Sequence, residues 1–186
     1  MWSALGIGIS WFFNLLVYWL SLFFVAPFSN LDILWILIPI WINFIFTEFF
    51  QEKKETSLGN AVTNGAVLVW AGVDLIRYLI KVMGTFSGTL VFQFAVCGVI
   101  ILYGGMIMWK GIKGEKVISV LGRVRETSYV LLVFSPLIYG VVEPSWSYII
   151  SVILFAPLFY FIVEWIDMML PNPKTDDPSK LDNKGF

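Results

Sequence analysis

Residues 89–109 read TLVFQFAVCGVIILYGGMIMW and contain no charged side chain. About 20 apolar residues in a helix cross the roughly 30 Å hydrocarbon core of a bilayer. This stretch meets that length, and it is too long and too uniformly apolar to be a surface helix of a soluble domain. The rest of the chain repeats the pattern. Apolar residue types form 59% of the 186 residues and charged types 13%, about half the usual share of a soluble domain. Aromatic residues reach 18% and the mean hydropathy is +0.83. A soluble fold of this size leaves about a third of its chain surface wet and could not hide so much apolar area. The composition therefore excludes a soluble globular protein, a disordered chain and a disulfide scaffold. It predicts an all-α, polytopic integral membrane helix bundle.

Five more segments resemble residues 89–109. Working outward, spans are expected at about 2–26, 33–50, 58–82, 89–109, 127–142 and 146–170. The first is closed by Pro27, and the second, fifth and sixth contain Pro39, Pro136 and Pro157. Proline is tolerated there because neighbouring helices re-satisfy the freed carbonyls. The fifth segment is the shortest, and its alternative is a re-entrant segment buried in protein. The N-terminal stretch has no basic region before it and exceeds a signal peptide's apolar core, so it reads as a retained first span.

Basic residues set the expected orientation. Lys53 and Lys54 lie between spans two and three. Lys110, Lys113, Lys116, Arg123 and Arg125 lie between spans four and five. Lys174, Lys180 and Lys184 lie in the tail. With six spans all of these share one side, and the opposite side has Lys81 with Arg77 near its helix end. The expectation is cytoplasmic N- and C-termini in a plasma membrane. Residues 171–186, polar and rich in proline, read as a disordered tail.

The third span carries the clearest polar pattern. At 100° per residue, Asn60, Thr63, Asn64, Val67, Ala71, Asp74, Tyr78 and Lys81 share a face. Such a face avoids lipid and should point into the bundle or a wet cavity. It would line a pathway or ligand site, or serve interhelical hydrogen bonding with close packing at Ala61, Gly65 and Ala71. Asp74 lies about 24 Å along this helix, near one boundary of the hydrocarbon. Asp74 and Arg77 are spaced to pair on one helix surface. Glu48 and Glu52, with Glu164 and Asp167, sit near the basic-side ends of spans two and six. They could form a cation-attracting mouth, or pair with Lys53, Lys54, Arg123 or Arg125. Ligand or pathway candidates are thus Asn60, Thr63, Asn64, Asp74, Arg77, Glu48 and Glu164. Asn14, Asn43, Gln93 and Ser135 are expected to be hydrogen-bond partners between helices.

Residues 110–126 read as a basic amphipathic helix lying on the inner leaflet. Val117, Ile118, Val120, Leu121 and Val124 form its apolar side, and Lys113, Lys116, Arg123 and Arg125 contact anionic lipid. Gly111, Gly114 and Gly122 argue against one rod continuous with a neighbouring span. Glu55-Thr56-Ser57 and Glu126-Thr127-Ser128 read as two helix N-caps.

The remaining motifs narrow function. There is no histidine, no P-loop and one cysteine, Cys97, so no His-based metal site, nucleotide engine or internal disulfide is expected. A net charge of −1 gives no basic field for nucleic acid. No metal or cofactor is expected. The leading expectation is a non-enzymatic membrane protein, channel- or transporter-like for a small solute or ion. The alternative is a structural or accessory subunit of a larger membrane complex. Expected partners are the bilayer with its anionic inner leaflet, and other membrane subunits or further copies of the chain.

Overall fold

The computed structural model describes residues 2–51, 58–84 and 86–169, and every regular element among them is helical. α1 spans Trp2–Phe24, and a short turn of helix, α2, follows at Ala26–Ser29. A 3₁₀ turn at Leu31–Ile33 leads into α3, Leu34–Phe46, which continues as a wider π-helical turn over Thr47–Gln51. α4 spans Leu58–Val82 and α5 Gly88–Ile112. The four-residue α6 at Ile118–Leu121 precedes α7, Val124–Ile138, and α8, Trp146–Met169, ends the described chain. All three interior prolines lie within helices that continue past them.

Among the described residues, four helical stretches are long and apolar enough to cross a membrane: Gly6–Phe24, Leu31–Phe49, Gly88–Ile112 and Trp146–Met169. α4 and α7 differ from them for separate reasons. α4 is long, but it is diluted by Asn60, Thr63, Asn64, Asp74, Arg77 and Lys81. α7 is apolar for most of its length and has only 15 residues, about 22 Å of helix.

Packing explains how so short a helix is accommodated. α7 is the hub of the bundle and contacts α1, α3, α4 and α5. Almost every side chain from Thr127 to Tyr139 is buried. A helix enclosed on all sides by protein needs neither a lipid-facing stripe nor the full bilayer thickness.

The tightest pair is α4 with α5. Buried positions Ala61, Gly65, Leu68, Gly72, Leu75 and Leu79 alternate by four and three along α4. Leu90, Gln93, Cys97, Ile100, Gly104, Ile107 and Gly111 alternate by three and four along α5. This is the repeat of a left-handed helix pair. Glycine brings the two backbones together: a Cβ at Gly104 would lie 2.6 Å from the Gly65 carbonyl oxygen. Small residues permit the same approach between helices in lipid generally.

This packing corrects the expected orientation of α4. Of the polar stripe, Asn64 and Ala71 are buried, whereas Thr63, Val67 and Lys81 are exposed and Asn60, Asp74 and Tyr78 are half-buried. The glycine seam, rather than the polar seam, faces the neighbouring helix, because dispersion contacts along two closely spaced backbones outweigh a few hydrogen bonds.

Residues 110–126 are also corrected. They form no single amphipathic helix. α5 runs on to Ile112, the chain turns at Gly114 with φ +73°, and α6 lasts one turn before Arg123. The left-handed backbone at Gly114 suits glycine and ends the helix. Ile118 is fully buried, while Val117, Val120 and Leu121 are exposed. A Cβ at Gly122 would meet Ala61 at 2.8 Å, so this segment is pinned to α4. Arg123 is the residue before α7, and Thr127 donates back to the Arg123 and Val124 carbonyls. The expected cap at Glu126-Thr127-Ser128 is therefore helix interior. The other expected cap, Lys53, Lys54 and the 171–186 tail with its lysines lie outside the described residues.

Candidate functional site

Two polar regions occupy opposite ends of α7, and an aromatic layer separates them. The first is centred on Arg125, in the first turn of α7. Its guanidinium is 13% exposed and donates from Nε to a Glu48 carboxylate oxygen at 2.8 Å, with a second contact from Nη2 to the same oxygen. Nη1 donates to Glu164 at 3.0 Å. Glu48 reaches this point because the π-helical turn continues the buried face of α3 after Ile40 and Phe44. Glu164 arrives from the last turns of α8. The guanidinium also lies 5.8 Å from the centre of the Tyr160 ring.

One arginine thus ties α3, α7 and α8 together at one end of the bundle. This corrects the expectation that Arg125 lies on the lipid surface. Two carboxylates and an aromatic face offer a desolvated guanidinium more than a lipid headgroup at the rim, and Arg's planar fork can serve both acids at once. The expected pairing of Glu48 and Glu164 with Arg125 is what the structure contains, in place of an open acidic ring. Lys113 remains outside this cluster, 4.6 Å over the Trp109 ring, and Lys116 is exposed. Arg123 is half-buried, with Nε donating to the Ser119 carbonyl at 3.2 Å.

The aromatic layer begins one turn further along α7, at Tyr129. The Phe159 ring lies 4.9 Å from Tyr129, 5.8 Å from Phe44 and 5.9 Å from Phe23. Trp19 and Phe155 extend the layer, with ring centres 5.7 Å apart. The Tyr129 hydroxyl accepts from Trp19 Nε1 at 3.2 Å and donates to the Val152 carbonyl at 2.6 Å. Tyrosine and tryptophan fill the apolar centre while their polar atoms find partners, as buried aromatics require.

The second polar region surrounds the C-terminal end of α7. A helix end leaves carbonyls unpaired, and these are costly away from water. Gln93 of α5 donates to the Leu137 carbonyl at 2.8 Å, and Asn30 to the Tyr139 carbonyl at 3.4 Å. Tyr148 of α8 donates to the Val133 carbonyl at 2.9 Å. Gly140, with φ +67°, turns the chain away. Ser29, Asn30, Asp32 and Tyr139 border a broad open hollow of about 570 Å³. Beside it the Tyr78 and Tyr139 rings are 4.0 Å apart.

The sequence candidates are therefore dispersed. Glu48 and Glu164 converge on Arg125. Asn64 is buried near the same end and donates to the Gly122 carbonyl at 2.8 Å. Thr63 is exposed and donates to the carbonyl of Gly59 in its own helix, and Asn60 is half-buried. Asp74 and Arg77 pair with each other at 2.7 Å near the opposite end, where Arg77 is 76% exposed. Gln93 bridges helices as expected, whereas Ser135 bonds within α7, Asn43 accepts from nearby Thr47 and Asn14 is exposed. Tyr129, Tyr148 and Trp19 are functional in the packing without a sequence signal, because nothing local distinguishes them from the neighbouring aromatics.

Among the described residues, no group of three or more Cys, Asp or Glu side chains is arranged to hold a metal ion. Comparison with family models, curated proteins and solved structures finds no match for this chain.

Proposed function

We propose that this chain is a non-enzymatic, six-span membrane bundle acting as a structural or accessory subunit of a membrane assembly. α4 and α7 complete the six crossings, sheltered by the four apolar spans. On this reading both termini and the Arg125 end face the cytoplasm of a plasma membrane, with Lys113 and Lys116 at the anionic leaflet.

The observation that carries the subunit reading is the sealed axis of α7. The Trp19, Phe23, Phe44, Tyr129 and Phe159 layer lies between the Arg125 cluster and the hollow beside Tyr139. Asn64, the buried polar member of the α4 stripe, is spent on the Gly122 carbonyl. A polar group already hydrogen-bonded to backbone in a packed interface supports helix association more than solute passage.

A channel- or transporter-like role is the second reading. The ion pairs at one end of α7 and the open polar hollow at the other favour it, since ionisable residues near membrane pathways commonly line them. Purified protein in vesicles separates the two. With a proton-sensitive or potassium-sensitive dye inside, subunit behaviour predicts leak no faster than in protein-free vesicles. A leak that Glu48→Gln or Asp74→Asn removes would overturn it in favour of transport.

A further inference from the structure

One face of α1 lies against the bundle through Leu15, Trp19, Leu22 and Phe23. The opposite face carries a separate repeat. Ile7, Ser10, Asn14, Val17, Ser21 and Phe24 alternate by three and four residues. All are exposed except Ser21, which is half-buried. Asn14 sits near the middle of the apolar stretch Gly6–Phe24. Its amide makes no hydrogen bond among the described residues. At that depth hydrocarbon offers it no water, and an unsatisfied amide is expensive.

We propose that this face of α1 is the contact between two copies of the chain lying side by side in the membrane, with Asn14 hydrogen-bonded to the same residue of the second copy. Copies of one membrane protein share an orientation, so the two-fold axis relating them runs along the membrane normal. That axis places each residue of α1 at the depth of its counterpart, and Asn14 therefore meets Asn14. The side-chain amide carries both donors and an acceptor, so the pair satisfies itself. A different partner would have to bring its own polar group to this depth.

The spacing fits the same geometry. Alternation by three and four is the seam of a left-handed parallel helix pair, in which one central Asn sets register and favours two strands. Small residues allow close approach. Ser10 lies one turn before Asn14, and nothing lies within 4 Å of a Cβ built at Gly6. The inference is independent of whether the bundle conducts.

Cross-linking and dilution test it on the full chain. In a Cys97→Ala background, Ser10→Cys and Val17→Cys should each form an intermolecular disulfide in oxidised native membranes. Leu102→Cys, on the exposed side of α5, should form little. Energy transfer between C-terminally labelled copies, followed as lipid dilutes them, should show Asn14→Leu raising the dissociation constant about five-fold. Asn14→Gln should stay close to wild type. Thermal unfolding of Asn14→Leu in detergent should match wild type, since the side chain has no hydrogen bond to lose within its own bundle. Monomers at every dilution would overturn the proposal. So would unchanged affinity in Asn14→Leu, or Leu102→Cys cross-linking as fast as Ser10→Cys.

Discussion

Arg125 and Arg77 show how position decides what an ion pair is worth. Arg125 and Glu48 are 13% and 9% exposed, so removing one partner strands a buried charge. Arg125→Met should cost about 3 kcal/mol, the range found when buried pairs are broken singly. Glu164 is 58% exposed and keeps access to solvent, so Glu164→Gln should cost under about 1 kcal/mol. Thermal unfolding in one detergent gives both numbers, and equal losses would contradict the ranking. Asp74 and Arg77 form the opposite case. Their contact is close, but Arg77 is 76% exposed. Asp74→Asn, Arg77→Gln and the double change should give a coupling below about 1 kcal/mol, with the double change costing less than the sum.

At the level of helices, the α4–α5 seam depends on the absence of side chains. A Cβ at Gly104 would lie 2.6 Å from the Gly65 carbonyl and 2.9 Å from the Val69 amide nitrogen. Backbone cannot rotate away as a flexible side chain can. Gly104→Ala should therefore cost about 1–3 kcal/mol through overpacking. Gly105→Ala, with nothing within 4 Å, is the matched control and should be neutral or slightly stabilising. A denaturation series on both variants checks this. The same pair shows what was legible in the sequence. Long apolar runs, glycine breaks and prolines located the helices to within a few residues, because each signal is local. On α4 the small side chains of Ala61 and Gly65 make their close packing legible, while the conspicuous polar residues mislead at Thr63 and Lys81, which are exposed, and Gly72 gives no signal of its own. For Arg125 the sequence offers both an acid partner and a lipid contact, and it does not decide between them because Glu48 and Glu164 lie 77 and 39 residues away. α7 looked weakest by length and proved most enclosed. Its burial, rather than its composition, runs nearly all round the helix, and that follows from neighbours distant in sequence.

For the molecule as a whole, orientation is the property most open to a decisive measurement. Ser87 and Ser119 lie at opposite ends of α5. In a Cys97→Ala background, an impermeant thiol reagent added to intact cells should label Ser87→Cys and spare Ser119→Cys. The reverse pattern would invert the proposed topology. The enclosed α7 also bears on how the chain is made. The ribosome releases α7 before α8, yet Tyr148 and Val152 of α8 supply hydrogen-bond partners to Val133 and Tyr129. If α7 crosses the bilayer as proposed, there is an interval during synthesis in which it is too short to hold itself there and its partners on α8 do not exist. On that topology α1, α3 and the α4–α5 hairpin, all made earlier, are the neighbours that shelter it until α8 arrives. On that topology α8 acts as a latch on α7, and a nascent chain halted between the two should be cleaved faster by protease than the chain that includes α8.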